Sequence, residues 1–243
     1  MSKDVIPHSK LDEGLSSCKI QIKTLLDSCD LLYSKRKYST SISLSILAYE
    51  ELSKMQFLID HYDHNQSISK KEWQKLKQHR KKLGYVFGMG MEIISGLPDS
   101  SIESVENERG KLGFEKNSPR DYEDGVAVTG VKNLLNNLNI VKQDGFYVDW
   151  NFNDFQWDSL FLKFTTNELK SIAYLLLTKS KSLFFQQLME DEKLKKNLTR
   201  EKILKSAHAK KIKILNKELE MPKNKQMIHN AFQALNQHYS FMP

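Results

Sequence analysis

Apolar residues recur at intervals of three and four along most of the chain, the spacing that lines one face of an α-helix. From Ser9 to Ser34 that face runs through Leu11, Leu15, Cys18, Ile22, Leu25, Leu26, Cys29 and Leu32, and the stretch "SKRKYST" ends it. A second helix is predicted from Ser39 to His64. "NQSIS" separates it from a third, which opens on "SKKE", Ser69 to Glu72, and extends to about Ile94. A Ser followed three residues later by Glu has the form of a capping box, in which the two side chains satisfy each other's free backbone N–H groups. The polar stretch from Ser95 to Gly125, which holds two prolines, reads as a long loop. A fourth helix is predicted from Val126 to Gln143, closed by Asp144-Gly145 read as a turn. The aromatic "FYVDWNFNDFQW" that follows is extended in character and is expected to cross the bundle without forming a true sheet. "TTNE", Thr165 to Glu168, is a second capping box and starts a fifth helix reaching about Asn197. The remaining residues add one or two more.

Composition agrees with this pattern. Among 243 residues there are only 10 Gly and 5 Pro, too few for the turns of a sheet-rich design, and 40% hydrophobic content suffices for a substantial core. The expected class is all-α: a helical bundle with an extra basic helical segment at its C-terminal end. The longest apolar run, "IAYLLL", is far shorter than the roughly 20 residues needed to span a bilayer, and "MSKDVIPHSKLDEG" lacks an apolar signal core. The expected location is the cytoplasm, away from any membrane. Cys18 and Cys29 lie eleven residues apart on one helical face, about 16 Å from each other, too far to bridge. They read as buried thiols.

The net charge of +7 is concentrated. Between Lys193 and Lys225 there are twelve Lys and Arg against three Glu, so the rest of the chain is slightly acidic. This suggests a division into a helical domain, residues 1–198 with its long loop at 95–125, and a basic extension, residues 199–243. Read as one helix from Arg200, the extension gathers Ile203, Leu204, Ala207, Ile214 and Leu215 on one side and lysines on the other. Lys202, Lys205, Lys210 and Lys213 are the candidate nucleic-acid contacts, of a kind that holds phosphate and reads little sequence. A solvated outer face is the plainer reading of the same lysines.

The chemistry that stands out lies in "SLSILAYEELSKMQFLIDHY", residues 43–62, where Glu50, Glu51 and Lys54 interrupt an apolar helix. On a helical wheel Glu51 falls inside the apolar arc, and Glu50, His61 and Lys54 form a stripe enclosed by apolar residues. Ser45, Ser53, Gln56 and Asp60 mark the expected solvent face. An unpaired buried carboxylate is strongly disfavoured, so Glu51 is expected to be buried and partnered. One reading is a structural Glu50–Lys54 pair in the favourable i, i+4 order. The other is a charged cluster shared with the third helix, which offers Glu72, His79 and Lys82. The His and Asp residues from 60 to 64 alternate around the helix and fit a polar helix end, so no metal and no cofactor are expected. There is no phosphate-binding Gly-rich loop and no Ser or Cys nucleophile signature.

In "ISLSILAYEELSKMQFL", then "WQKLKQHRKKL", then "IVKQDGFYVDW", the chain resembles the AbiV family of abortive-infection proteins, part of the wider HEPN group of helical domains. The likeness spans roughly residues 30 to 165. It implies an HEPN-like helical bundle, a role in bacterial phage defence and homodimerisation, and it carries family positions onto Glu50, Glu51, Lys54, His79, Lys82, Lys142, Tyr147 and Asp149. Many HEPN domains are ribonucleases with an Arg followed, after four to six residues, by His. No arginine here has that spacing, since Arg200 and His208 miss it by one residue and lie outside the likeness. Should RNA be cleaved, His79 is the best general acid/base, Lys54 or Lys82 would stabilise phosphate charge, and Glu50 would orient the imidazole. Two functions follow as expectations. One is an effector that arrests gene expression or translation after infection by cleaving or binding RNA. The alternative is a non-enzymatic interaction module activated by a phage protein.

Overall fold

The computed structural model describes residues 4–76, 129–146, 149–151, 156–159, 163–196, 202–203 and 205–239. Its elements are β1 (Val5–Ile6), a 3₁₀ turn (His8–Lys10), α1 (Leu11–Ser34), α2 (Tyr38–Asp63), β2 (Ile68–Ser69), α3 (Lys70–Leu76), α4 (Thr129–Phe146), β3 (Asp149–Asn151), β4 (Gln156–Asp158), α5 (Thr166–Lys196), α6 (Ala207–Glu220) and α7 (Pro222–Tyr239). The architecture is the expected all-α helical bundle, trimmed by two short antiparallel pairs, β1 with β2 and β3 with β4.

Both capping boxes form. The Ser69 N–H donates to Glu72 Oε2 at 2.8 Å, and the Glu72 N–H donates to Ser69 Oγ at 3.2 Å. At the head of α5 the Thr165 N–H donates to Glu168 Oε2 at 2.7 Å while the Glu168 N–H donates to Thr165 Oγ1 at 3.3 Å. These bonds from Thr165 hold the Glu168 carboxyl below its ordinary pKa. Thr165→Ala should therefore destabilise by about 1 kcal/mol at neutral pH. Because a depressed carboxyl pKa contributes stability only above its unfolded value, the gap between variant and parent should narrow as the pH falls through the glutamate range. Thermal melts at pH 7 and pH 3.5 check this. A gap unchanged between those two pH values would remove Glu168 from the cap.

α1 and α2 end without glycine. Arg36 and Asn65 take left-handed backbone angles, φ 61° and 52°. In each case the next N–H reaches back to close the last turn, Lys37 to the Leu32 carbonyl at 2.8 Å and Gln66 to the His61 carbonyl at 2.9 Å, the bond pattern of a Schellman stop.

α2 is the centre of the bundle and packs against α1, α5 and α4. Its buried residues go nearly all the way round, and Ser45, Ser53 and Gln56, assigned to solvent from their polarity, are buried at 0%, 0% and 4% exposure. The reason is that a serine can satisfy itself inside a helix. Ser45 Oγ donates to the Ser41 carbonyl at 2.8 Å and Ser53 Oγ to the Tyr49 carbonyl at 3.1 Å, leaving only a small, satisfied bump at the surface. Neighbouring helices close over it: Ser180 Oγ of α5 lies 3.4 Å from the Ser45 carbonyl, and Ser41 Oγ donates to the Cys29 carbonyl of α1 at 3.1 Å. On α1, a Cβ at Gly14 would stand 3.2 Å from Leu58 Cδ1, so a larger residue there would require the Leu58 side chain to give by a few tenths of an ångström. The two cysteines point into the core as free thiols, and burial pushes both up to about 11.

Two other expectations are corrected. Asp144-Gly145 is no turn but the last turn of α4, where Asp144 accepts a bond from Lys163 Nζ at 2.8 Å. The aromatic stretch does pair, with Trp150 opposite Trp157 in the β3–β4 ladder, alternation of apolar and polar residues having supplied the strand period. The long loop at 95–125 and the third helix beyond Leu76 lie outside the described residues.

At the C-terminal end, Ser206 caps α6 by accepting from the Ala209 N–H at 3.1 Å, so the segment from Arg200 is not one continuous helix and its wheel does not hold. α6 docks through His208, Ala209, Ile212, Leu215 and Leu219, whereas Ala207 and Ile214 are exposed. α6 and α7 both pack on α5, and Ala231, Ala234 and Leu235 of α7 belong to the same hydrophobic cluster as α1, α2 and α5. Among the described residues, no helix is long and apolar enough to cross a membrane.

Candidate functional site

The charged residues of α2 separate into two pairs of different character. Glu50 Oε1 accepts from Lys142 Nζ of α4 at 2.6 Å, and the two side chains are 2% and 8% exposed. The same α4 turn is held a second time, because Ser43 Oγ donates to the Lys142 carbonyl at 2.7 Å. Leu138 and Val141 bury beside it, so Lys142 sits on the apolar face of its own helix. α2 therefore grips α4 through one ion pair and one hydrogen bond set in hydrocarbon. At this burial, removing either member of the pair takes away a charge-assisted bond that water cannot easily replace.

The second pair lies beside the first on α2, Glu51 being the next residue after Glu50. Lys54 Nζ meets Glu51 Oε1 at 2.5 Å, with side chains 23% and 19% exposed. The Glu50–Lys54 pairing expected from i, i+4 spacing does not form. Lys142 holds Glu50 from across the helix contact, leaving Lys54 to the i, i+3 carboxylate. Glu51 is partnered, as expected, but half-buried instead of buried, as are Leu44 and Leu47 on the same arc, whereas Leu58 beside them is buried against Gly14 of α1. Glu51 also acts on the core: burial first, and then its charge, raises the Cys18 thiol.

The remaining polar residues near the end of α2 turn onto the backbone. His61 Nδ1 lies 2.9 Å from the Phe57 carbonyl with its ring 4.2 Å from that of Phe57, and His64 Nδ1 lies 2.7 Å from the Asp60 carbonyl. Gln56 Nε2 donates to Asp60 Oδ1 at 2.9 Å, and Glu190 of α5 is pushed up by burial beside them, against a bond from Gln56. No group of three His, Cys, Asp or Glu able to hold a metal occurs among the described residues.

Of the residues singled out in the sequence, Glu50 and Lys142 come into direct contact, and Glu51 and Lys54 join each other beside them. His79, Lys82 and Tyr147 lie outside the described residues. Asp149 opens β3, opposite Asp158 in the ladder. Lys202, Lys205, Lys210 and Lys213 are all exposed, in the segment before α6 and on α6 itself. Residue patterns alone did not single out Lys142, and they missed Ser43 altogether. The signal for Lys142 was available as a lone charge between Leu138, Val141 and the following turn on an otherwise apolar face. Ser43 gave none, because an inward serine and an outward one look alike in sequence.

A family model described as AbiV, of the HEPN class, matches residues 10–159, which takes in both ion pairs. No curated protein matches the chain. No solved structure does either.

Proposed function

Because the chain belongs to the AbiV family of HEPN abortive-infection proteins, we propose that it is a cytoplasmic phage-defence effector, acting as a homodimer, that arrests gene expression or translation in the infected cell by engaging RNA. The observation that carries this reading is the pair of charged contacts on α2 inside the family-matched region, Glu50–Lys142 and Glu51–Lys54. The first fixes α4 on α2. The second holds a half-buried ammonium that a phosphate could reach only by sharing it with Glu51. In the chemical form of the proposal His79 transfers the proton, and Lys54 or Lys82 neutralises charge developing on phosphorus. The exposed Lys202, Lys205, Lys210 and Lys213 would add sequence-independent grip on the backbone.

A second reading is favoured by the burial of Glu50 and Lys142, which puts that pair beyond the reach of a substrate. Here the charges only build the bundle, and the protein works as an interaction module switched on by a phage protein, with the translation machinery as its target.

Phage plaquing on cells expressing His79→Ala, together with RNA integrity and a thermal melt of the purified variant, separates the two. The chemical reading expects protection to fall by about 100-fold or more with the melt unchanged. Retained protection supports the interaction module. For RNA contact, replacing the four lysines by Gln should flatten the dependence of log affinity on log salt by about 0.7 per lost phosphate contact. A slope unchanged by the four substitutions would place RNA elsewhere.

A further inference from the structure

α1, α5 and α6 lie side by side with α5 recessed, and the depression between them is an open groove of about 660 Å³. α5 runs antiparallel to both neighbours, since Lys181 meets Asp30 while Asp191 meets Lys19, and His208 meets Glu192 while Glu218 acts on Tyr174. Leu26, Phe184 and Leu188 form a floor of hydrocarbon. The lips carry Ile20 of α1 and Ile214 of α6, exposed at 69% and 59%. Two large aliphatic side chains in water on opposite lips of one apolar trough are unlike the scattered single exposures normal on a protein surface. No residue of α2 or α4 lines it, so the groove is separate from the charged pairs described above.

The groove's chemistry restricts what it can take. Nucleobase stacking needs an open aromatic face, but Phe184 is buried, and the Phe185 ring is stacked by His208 at 6.0 Å with Lys211 Nζ 4.8 Å from its centroid. Phosphate needs free cations, but Lys19, Lys23 and Lys181 are each already bonded to an aspartate, Asp191, Asp27 and Asp30. Lys211 has no carboxylate partner among the described residues. Of the four lysines in the lining three are paired with aspartates, so the positive charge that an apolar visitor meets is that of Lys211, a single cation too few for a phosphate backbone but enough for one acidic flank. The groove extends along α1 from Lys19 to Asp30, about 16 Å or three helical turns. A helix laid there would stand on α5 with α1 and α6 as neighbours, turning three helices in a row into a four-helix arrangement.

We propose that this groove is a docking site for an amphipathic helix of about 11 to 14 residues from a partner protein, with an aliphatic stripe at i, i+3, i+4 and i+7 facing Leu26, Phe184 and Leu188 and with acidic residues flanking the stripe. The aliphatic stripe replaces water over Ile20 and Ile214. The acidic flank on the α6 side meets Lys211.

The test uses the full chain and two pools of fluorescent 14-residue helical peptides with the same Leu, Ile and Met stripes, one pool flanked by Glu and the other by Lys. Binding is read by anisotropy. The Glu-flanked pool should contain binders, the Lys-flanked pool should not, and Ile20→Glu with Ile214→Glu should weaken the binders by about ten-fold or more. Both positions are exposed, so the melting temperature of the double variant should match the parent, and Lys211→Glu should weaken Glu-flanked peptides alone. Absence of binding from the Glu-flanked pool overturns the proposal, as does equal binding of both pools or indifference to the Ile substitutions. Two further results would also overturn it by assigning the groove elsewhere. One is a light-scattering mass that falls on Ile20→Glu and Ile214→Glu while peptides fail to bind, which makes the occupant a second copy. The other is loss of single-stranded RNA or of anionic vesicles in that variant, again without peptide binding.

Discussion

Lys142→Met is expected to destabilise the protein by about 3 to 5 kcal/mol, because it takes from the buried Glu50 carboxylate the ammonium it is bonded to. The reverse truncation, Glu50→Met, should cost a similar amount by removing the carboxylate bonded to the buried Lys142 ammonium. The double substitution should recover most of the loss, since a buried ion pair exchanged for hydrocarbon of similar volume is often close to neutral. Urea denaturation of the four proteins gives the coupling energy directly. A loss under about 1 kcal/mol for Lys142→Met would mean that water or another protein group compensates the Glu50 charge. The double variant also bears on function. If the pair only joins α2 to α4, a stable double variant should still protect cells from phage, whereas protection lost at full stability would give the charges a part in the chemistry.

Leu52→Ala and Leu31→Ala make the same chemical change at opposite extremes of exposure, 0% and 60%. Leu52 stands where α2 meets α5, its carbonyl accepting from Gln187 Nε2 at 2.9 Å, and it leaves a cavity that packed helices cannot collapse. Its loss should cost about 2 to 5 kcal/mol. Leu31 faces water, and its loss should stay within about 0.5 kcal/mol. Equal effects in chemical denaturation would contradict the central position of α2.

The sequence carried the helices well wherever apolar spacing was regular and a side chain announced the end. α1, α2 and α5 fall within a residue or two of their predicted limits, and the Ser69 and Thr165 boxes close as read. It misled where polarity was taken as a measure of exposure. Ser45 and Ser53 bond to their own helix and are buried, while Leu44 and Leu47 on the apolar arc are only half-buried. Pairing was the other weak point. Spacing along one helix offers Lys54 to Glu50, but nothing local records that Lys142, 92 residues away, arrives first. The resemblance to AbiV proteins named Lys142 as a position without saying what it touches. The C-terminal wheel failed for a third reason, a cap at Ser206 that restarts the helix and resets its phase.

The family-matched region closes at residue 159, yet α2 is sealed on one side by α5, which begins at Thr166. A chain emerging from the ribosome therefore carries α2 with its Ser45, Leu52 and Gln56 side unsealed until nearly forty more residues have been made, and at about 5 to 20 residues per second that exposure lasts for seconds. The α1–α2 hairpin can form early because its contacts are local. Its burial cannot be completed. A gene fragment cut at the family boundary would express this unfinished hairpin permanently, and it should bind hydrophobic dyes and lack a cooperative melt, while a fragment ending after α5 should regain one. The stretch marked by family similarity is thus shorter than the helices packed around α2, and transplanting this bundle into another chain should require moving α5 along with it.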